Sequence, residues 1–367
     1  MSEPKRVGLI GLSAKGSWAS RSHLGYLQKN PHYKITALQN SSKASADAAA
    51  KEYSLTDVTT HDNPSSIAAD PNVDIIAVSV NVPQHYDLIR PALEAGKDVF
   101  SEWPLARNVK EAEELTALAK EKSVRTLVGL QARQNPSILK AKEIVASGKI
   151  GKVLGTTMYG HGMVFGPSMG EYFLYGLPIE AGANLVTIPF GHAVDALCYV
   201  LGEIKDISAQ LANHRSELQL VDDKNQPIRK VKKTAHDYIS FIGRLENGGG
   251  LVDVTYAPAL SRTGRDFVWE INGTEGTLLL EGPKMGGHVQ MYQPTIKLAT
   301  DTEELKAIEV EKANDFSFNV GKAWDAWAGV GIDQGFSVTT FEDALLRHKM
   351  IDAIYRSAES GKWENYI

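Results

Sequence analysis

Between residues 5 and 45 the chain reads as strand, glycine turn, helix and strand, and no other stretch limits its possible folds so tightly. Residues 7–10 are a short apolar run, Gly11-Leu12-Ser13-Ala14-Lys15-Gly16 follows, Trp18, Leu24 and Leu27 recur at helical spacing, and residues 35–38 form a second apolar run. This is the order of a dinucleotide-binding turn, in which glycines permit a tight bend and the pyrophosphate rests on free N–H groups at the helix N-terminus. Ser13 stands where a middle glycine is usual, and its small side chain still fits. A glycine turn by itself closes many ordinary βα units, so the flanking strands and helix carry the assignment. Gly11, Ser13, Lys15 and Gly16 are the expected phosphate-side residues.

A chain selective for NAD commonly places Asp or Glu after the second strand, for the ribose 2′-hydroxyl. Here the sequence is Gln39-Asn40-Ser41-Ser42-Lys43, polar with one cation, which accepts a 2′-phosphate without like-charge repulsion. Asn40, Ser41, Ser42 and Lys43 therefore favour NADP, with NAD the alternative; Ser42 or Ser45 also suits a helix N-cap. The apolar run 74–80 suits a strand buried on both faces and ends at Asn81, with His85 opening a helix. A further strand, 98–101, leads into Glu102-Trp103-Pro104, and 125–130 leads to Gln131. Ligands of open parallel sheets bind beyond the strand carboxyl ends, which makes Asn81, His85, Glu102, Trp103 and Gln131 cofactor-side candidates.

A length of 367 residues suits two domains, and 43% hydrophobic residues suffice for two cores. The net charge of -5 and the lack of a long basic run argue against a nucleic-acid surface. Cys198 is the only cysteine, so a reducing compartment is expected. The first strand starts too early to leave room for a signal peptide, and no apolar run approaches the roughly 18 residues of a membrane span. A cytoplasmic protein is expected, without a metal site. After Pro136 the texture changes: a helix to Ser147, a strand at 153–159, and a glycine-rich aromatic segment at 160–182 with His161, Tyr172 and Tyr175. Residues 184–201 are apolar at helical spacing and carry His192 and Asp195. Strand-like stretches at 204–212, 237–245, 250–256, 266–272, 277–281 and 288–292 have short links, which suggests an antiparallel sheet, and 341–360 closes with an amphipathic helix.

Several separate motifs, in order, resemble the Gfo/Idh/MocA oxidoreductase family. They are Asn81-Val82-Pro83-x-His85, Ala92-Leu93-Glu94-Ala95-Gly96-Lys97, Glu102-x-Pro104, Val128-Gly129 with Arg133 and Pro136, Gly148-x-Ile150-Gly151, Gly191-His192-x-x-Asp195 and Gly273-Thr274-x-Gly276. The resemblance implies an α/β Rossmann domain (1–127) followed by an α+β domain with a large, mainly antiparallel sheet (128–367). It also implies an NAD(P)-dependent oxidoreductase acting on sugars, cyclitols or related alcohols and carbonyls, and a homodimer or higher homo-oligomer formed through that sheet. Two family positions differ. Trp103 replaces a lysine that helps place cofactor and substrate, and an indole cannot exchange protons near neutral pH; Ile188 replaces an aspartate four residues before the catalytic His192. A narrower set, including Ala14-Lys15-Gly16, Glu102-Trp103, Leu130-Gln131-x-Arg133, Leu185-Val186-Thr187 and Phe190-Gly191-His192, resembles the galactose-regulon repressor branch of the family.

Three functions are compatible with this pattern. An oxidoreductase needs a proton-handling group, for which His192 is the first candidate and Tyr172, Tyr175 and His161 are alternatives. A nucleotide-binding regulator keeps the phosphate turn without the proton relay, acts in the nucleus as well, and takes an activation-domain peptide as partner. A redox-neutral enzyme that uses its cofactor transiently is the third. The resemblance does not identify the small-molecule substrate.

Overall fold

The computed structural model describes residues 3–367. Its first sheet has six strands: β1 (Lys5–Ile10), β2 (Tyr33–Gln39), β3 (Thr59–His61), β4 (Ile75–Val78), β5 (Asp98–Glu102) and β6 (Thr126–Gly129). They pair in the order β3-β2-β1-β4-β5-β6, every pair parallel. Crossover helices cover both faces of such a sheet, which explains why β4 and β6 are buried at every residue instead of alternating. The order reverses between β1 and β4, and that switch point opens the crevice where doubly wound folds hold nucleotides. Local chemistry sets the helix starts. Ser42 caps Lys43–Glu52 by accepting from Ser45 N, and Asn108 caps Val109–Lys122 by accepting from Glu111 N.

This unit is not one continuous segment. It comprises the chain to Gln131 together with Asp315–Leu345, so the expected single cut at 127/128 does not describe it. The helix Ser317–Trp327 supplies the reason, because Val320, Ala323, Trp324 and Trp327 belong to the same core as Val7, Leu27, Tyr33, Ile75 and Phe100. Trp324 is fully buried; its ring lies 4.7 Å from those of Tyr33 and Phe100, and its carbonyl accepts from the Tyr33 hydroxyl at 2.9 Å.

The second unit, Ala132–Asn314 with Leu346–Ile367, is built on eight strands. These are β7 (Val153–His161), β9 (Ile204–Ala212), β12 (Tyr238–Leu245), β13 (Leu251–Ala257), β14 (Phe267–Gly273), β15 (Gly276–Glu281), β16 (Thr295–Thr300) and β17 (Glu303–Ile308). They run in the order β17-β16-β15-β14-β7-β13-β12-β9, and only the β13–β7 pair is parallel. A small sheet of β8 (Ser168–Gly170), β10 (Glu217–Val221) and β11 (Pro227–Lys232) lies beside it in the chain order. Lys233, directly after β11, is buried. The stretch 288–292 is a turn, not a strand: Met291 N and Tyr292 N both return to the His288 carbonyl. One face of the large sheet packs on the helix Pro189–Leu201, with the Phe190 ring 5.9 Å from those of Phe241 and Tyr256. The helix begins at Pro189, later than expected, because Asn184 Oδ1 accepts from Val186 N and Thr187 N and turns the chain first.

Candidate active site

The glycine turn follows β1 directly. Gly11 has φ +96° and a Cβ there would lie inside contact distance of the Ser79 carbonyl oxygen, so only glycine serves both the backbone and the space. Gly16 has φ +90° with open space around it. Ser13 does not obstruct the turn: its hydroxyl accepts from Lys15 N at 3.1 Å and its carbonyl from Gly16 N at 3.0 Å. The turn is held from outside by the Asn40 amide donating to Leu12 O and the Tyr53 hydroxyl donating to Ser13 O, both at 2.8 Å. A single π-helical turn, Ser20–Leu24, continues it.

At the end of β2, Asn40 is spent on that brace and Ser42 on its cap, leaving Ser41 and Lys43 exposed. Lys43 Nζ donates to Thr60 at 3.0 Å, and the Thr60 hydroxyl donates on to Asp47. Gln39 Oε1, Ser79 Oγ and Gln131 Oε1 are buried without a hydrogen-bond partner. All three stand at carboxyl ends, of β2, β4 and β6. Orphaned polar atoms at these carboxyl ends, with a Gly11 position that no Cβ can enter, fit a dinucleotide.

Glu102 is positioned by a chain the sequence did not disclose. Trp324 Nε1–H donates to His23 Nδ1 at 3.1 Å, so the proton of His23 sits on Nε2 and is donated to Glu102 Oε1 at 2.6 Å. The Phe100 ring backs His23 at 5.0 Å. Trp103 is buried beside Glu102, and the Trp103–Pro104 peptide is cis. Asn81 is exposed. His85 is fully buried, with Nδ1 2.8 Å from Pro104 O and Nε2 3.1 Å from Val80 O, and burial holds its pKa below the ordinary value. The neutral ring donates to only one of these two carbonyls, and both its nitrogens are enclosed by backbone beyond the ends of β4 and β5.

In the second unit His192 lies on the buried helix Pro189–Leu201, and its Nδ1 has no hydrogen-bond partner among the described residues. Burial, then the neighbouring His288, pushes its pKa down to about 3, so the imidazole is neutral near pH 7. His288 was not recognised from sequence. It is buried, its Nε2–H donates to Gly162 O at 2.8 Å, and its Nδ1 accepts from the Gln290 amide at 3.2 Å. Asp195 is structural: Arg133 grips it with two bonds of 2.9 and 2.7 Å, and the buried Arg347 adds an ion pair at 3.5 Å.

The alternative proton donors are not assembled with His192. Tyr172 is 81% exposed. Tyr175 packs edge-on against Phe173, and burial raises its pKa. His161 points away, because residues alternate across a strand and Gly160 and Gly162 face Tyr256 and Pro189. No group of three or more His, Cys, Asp or Glu suited to a metal occurs among the described residues.

These features define a nucleotide-binding member of an oxidoreductase family, and the chain belongs to Gfo/Idh/MocA. Residues 5–130 match its NAD-binding Rossmann domain, and residues 136–282 match the C-terminal domain of Gal80p. The chain is 32% identical to dehydrogenase aclE of Aspergillus oryzae, covering 100% of this chain and 99% of that protein. It is 28% identical to the galactose/lactose metabolism regulatory protein GAL80 of Saccharomyces cerevisiae, covering 99% and 94%. A super-repressor mutant of that Gal80p superposes with a TM-score of 0.91 at 27% identity, covering 99% and 98%. Levoglucosan dehydrogenase in complex with NADH and L-sorbose matches at a TM-score of 0.80 over 100% of both chains, where 20% identity shows the fold alone.

Proposed function

We propose that this protein is an NAD(P)-dependent dehydrogenase that oxidises a hydroxyl of a small sugar-like or related alcohol. The observation that carries this reading is the buried, neutral His192 with an open Nδ1. The neutral imidazole presents an open Nδ1 acceptor to a substrate hydroxyl and takes its proton as the hydride leaves. The bound dinucleotide supplies the hydride acceptor. The chain's own residues hold and orient it: Gly11, Ser13, Lys15 and Gly16 at the pyrophosphate, Ser41 and Lys43 at the adenosine ribose, and Gln131 and the braced Glu102 at the strand ends. Trp103 keeps water out and moves no proton. No carboxylate occurs in residues 39–43, which supports NADP ahead of NAD. Ile242, Leu251 and Trp363 are exposed together in the second unit, and we assign them to a contact between copies of the chain.

A second reading, a regulator that binds nucleotide without turnover and receives an activation-domain peptide in cytoplasm or nucleus, is favoured by Trp103 and by the likeness to GAL80. The deciding experiment mixes the protein with NADP or NAD and a panel of sugars and polyols and follows reduced-cofactor absorbance. Turnover with NADP above that with NAD is expected. Tight nucleotide binding without any turnover over the whole panel would favour the regulator.

A further inference from the structure

The glycine turn offers a pyrophosphate the backbone amides of Ser13, Ala14, Lys15 and Gly16, and they are not equally free. Lys15 N is spent on the Ser13 hydroxyl at 3.1 Å, and Gly16 N on the Ser13 carbonyl at 3.0 Å. A glycine in place of Ser13 has no hydroxyl and would leave Lys15 N open. Ser13 N reaches only Ser17 Oγ, at 3.4 Å, and Ala14 N has no hydrogen-bond partner among the described residues. The departure from glycine at Ser13 therefore concentrates the turn's backbone donors on the amides of Ser13 and Ala14.

The direction of those amides is set from the second strand and the helix after it. In a planar trans peptide the N–H points opposite to the C=O. Ser13 N shares its peptide with the Leu12 carbonyl, which accepts from the buried Asn40 Nδ2 at 2.8 Å. Ala14 N shares its peptide with the Ser13 carbonyl, which accepts from the Tyr53 hydroxyl at 2.8 Å. Each brace thus draws a carbonyl toward itself and turns the amide of the same peptide away. Asn40 lies just before the helix Lys43–Glu52 and Tyr53 directly after it, so one helix, capped by Ser42, spaces the two braces. Tyr53 N returns to the Ala49 carbonyl at 3.1 Å, and its ring packs against the core that contains Val7, Leu9 and Leu38. Packing holds the ring, and the hydroxyl is the part of the side chain that acts on the turn.

We propose that Tyr53 is a positioning residue for the dinucleotide: through the Ser13 carbonyl it aims the Ala14 amide at the pyrophosphate. Asn40 does the same for the Ser13 amide, and so sets affinity for the pyrophosphate and not the choice between NADP and NAD. The inference rests on the nucleotide-binding part of the proposed function and is independent of turnover.

Calorimetric titration of the full chain with NADP and with NAD tests it. Tyr53→Phe keeps the ring and removes the hydroxyl. It should weaken both cofactors together, about fivefold, the scale of one hydrogen bond, because the pyrophosphate is common to both. In protein with isotope-labelled alanine, the Ala14 amide resonance, assigned by its loss in Ala14→Gly, should move downfield on saturation with NADP and move less in Tyr53→Phe. A tyrosine that only stabilises the fold would leave the saturated shift at its wild-type value. That result, or unchanged affinity in Tyr53→Phe while the wild type binds nucleotide, would overturn the proposal alone. Asn40→Ala should weaken NADP and NAD alike, and a loss confined to one cofactor would overturn the role given to Asn40. A wild-type protein that binds neither nucleotide would overturn the nucleotide-binding reading and this inference with it.

Discussion

At Gly11 two requirements coincide, a positive φ and the absence of a Cβ against the Ser79 carbonyl. Gly11→Val is therefore expected to abolish dinucleotide binding and to lower stability, because relieving the clash moves β1 away from the switch point. Calorimetry with NADP checks the first effect, and a folded variant with wild-type affinity would remove the turn from the site. In the proposed reaction His192 handles the substrate proton. His192→Ala should lower turnover by roughly 10²–10⁴-fold, the usual scale for a general base, with cofactor affinity unchanged. Since its pKa lies near 3, His192 stays neutral from pH 5 upward and should add no acidic limb near 6.5 to the kcat/KM profile. A wild-type limb there that vanishes in His192→Ala would contradict the buried neutral state.

The helix Ser317–Trp327 is the element whose role is least local. It is separated by almost two hundred residues of the second unit from β6, yet Trp324 and Trp327 complete the core under β1, β2 and β5. Arg125 also reaches it, donating to Trp327 O with its guanidinium over the Trp327 ring at 5.2 Å. Trp324→Ala removes a fully buried indole and should cost about 3–5 kcal/mol, read as a lower urea midpoint. It also removes the donor that places the His23 proton on Nε2, so the hydrogen bond to Glu102 loses its fixed tautomer. Cofactor affinity should fall with stability; a variant that loses neither would show that the helix only decorates the unit. Packing that depends on so distant a segment also predicts that residues 1–131 alone do not fold stably.

For the whole molecule, buried neutral histidines set the acid limit. His85, His192 and His288 all have folded pKa values depressed by burial. Below about pH 6.5 the unfolded chain therefore binds more protons than the folded one. Stability is fully present above that pH and is lost as pH falls toward the folded values, at up to about 1.4 kcal/mol per pH unit for each histidine. Denaturation midpoints measured from pH 7.5 to 5 should fall accordingly, and a flat profile would contradict the three depressed values. The proposed contact between copies is tested at the same scale. Leu251 is 64% exposed on β13, and Leu251→Asp is expected to shift the sedimentation profile toward monomer without changing the helix content.

Much of the architecture was legible because its signals are local. The turn at residues 11–16, the fully apolar strands and the cap at Ser42 each depend on neighbours a few residues away. The alternating order of strands and helices then implies the parallel sheet, since a parallel pair needs a crossover. What lay out of reach depends on distant partners. The 288–292 stretch has strand composition, yet hydrogen bonds from Met291 and Tyr292 to His288 fold it into a turn that buries His288 near His192. Tyr172 and His161 have suitable chemistry, but exposure of one and the pleat phase of the other separate them from His192. The Trp324–His23–Glu102 chain joins residues 301 and 79 positions apart. By itself, then, the sequence determined a nucleotide-binding turn on a parallel sheet with His192 on a helix in the second half. Only tertiary structure decided which polar groups are spent on internal bonds and which remain open, because hydrogen-bond satisfaction is settled by contacts between segments far apart in the chain.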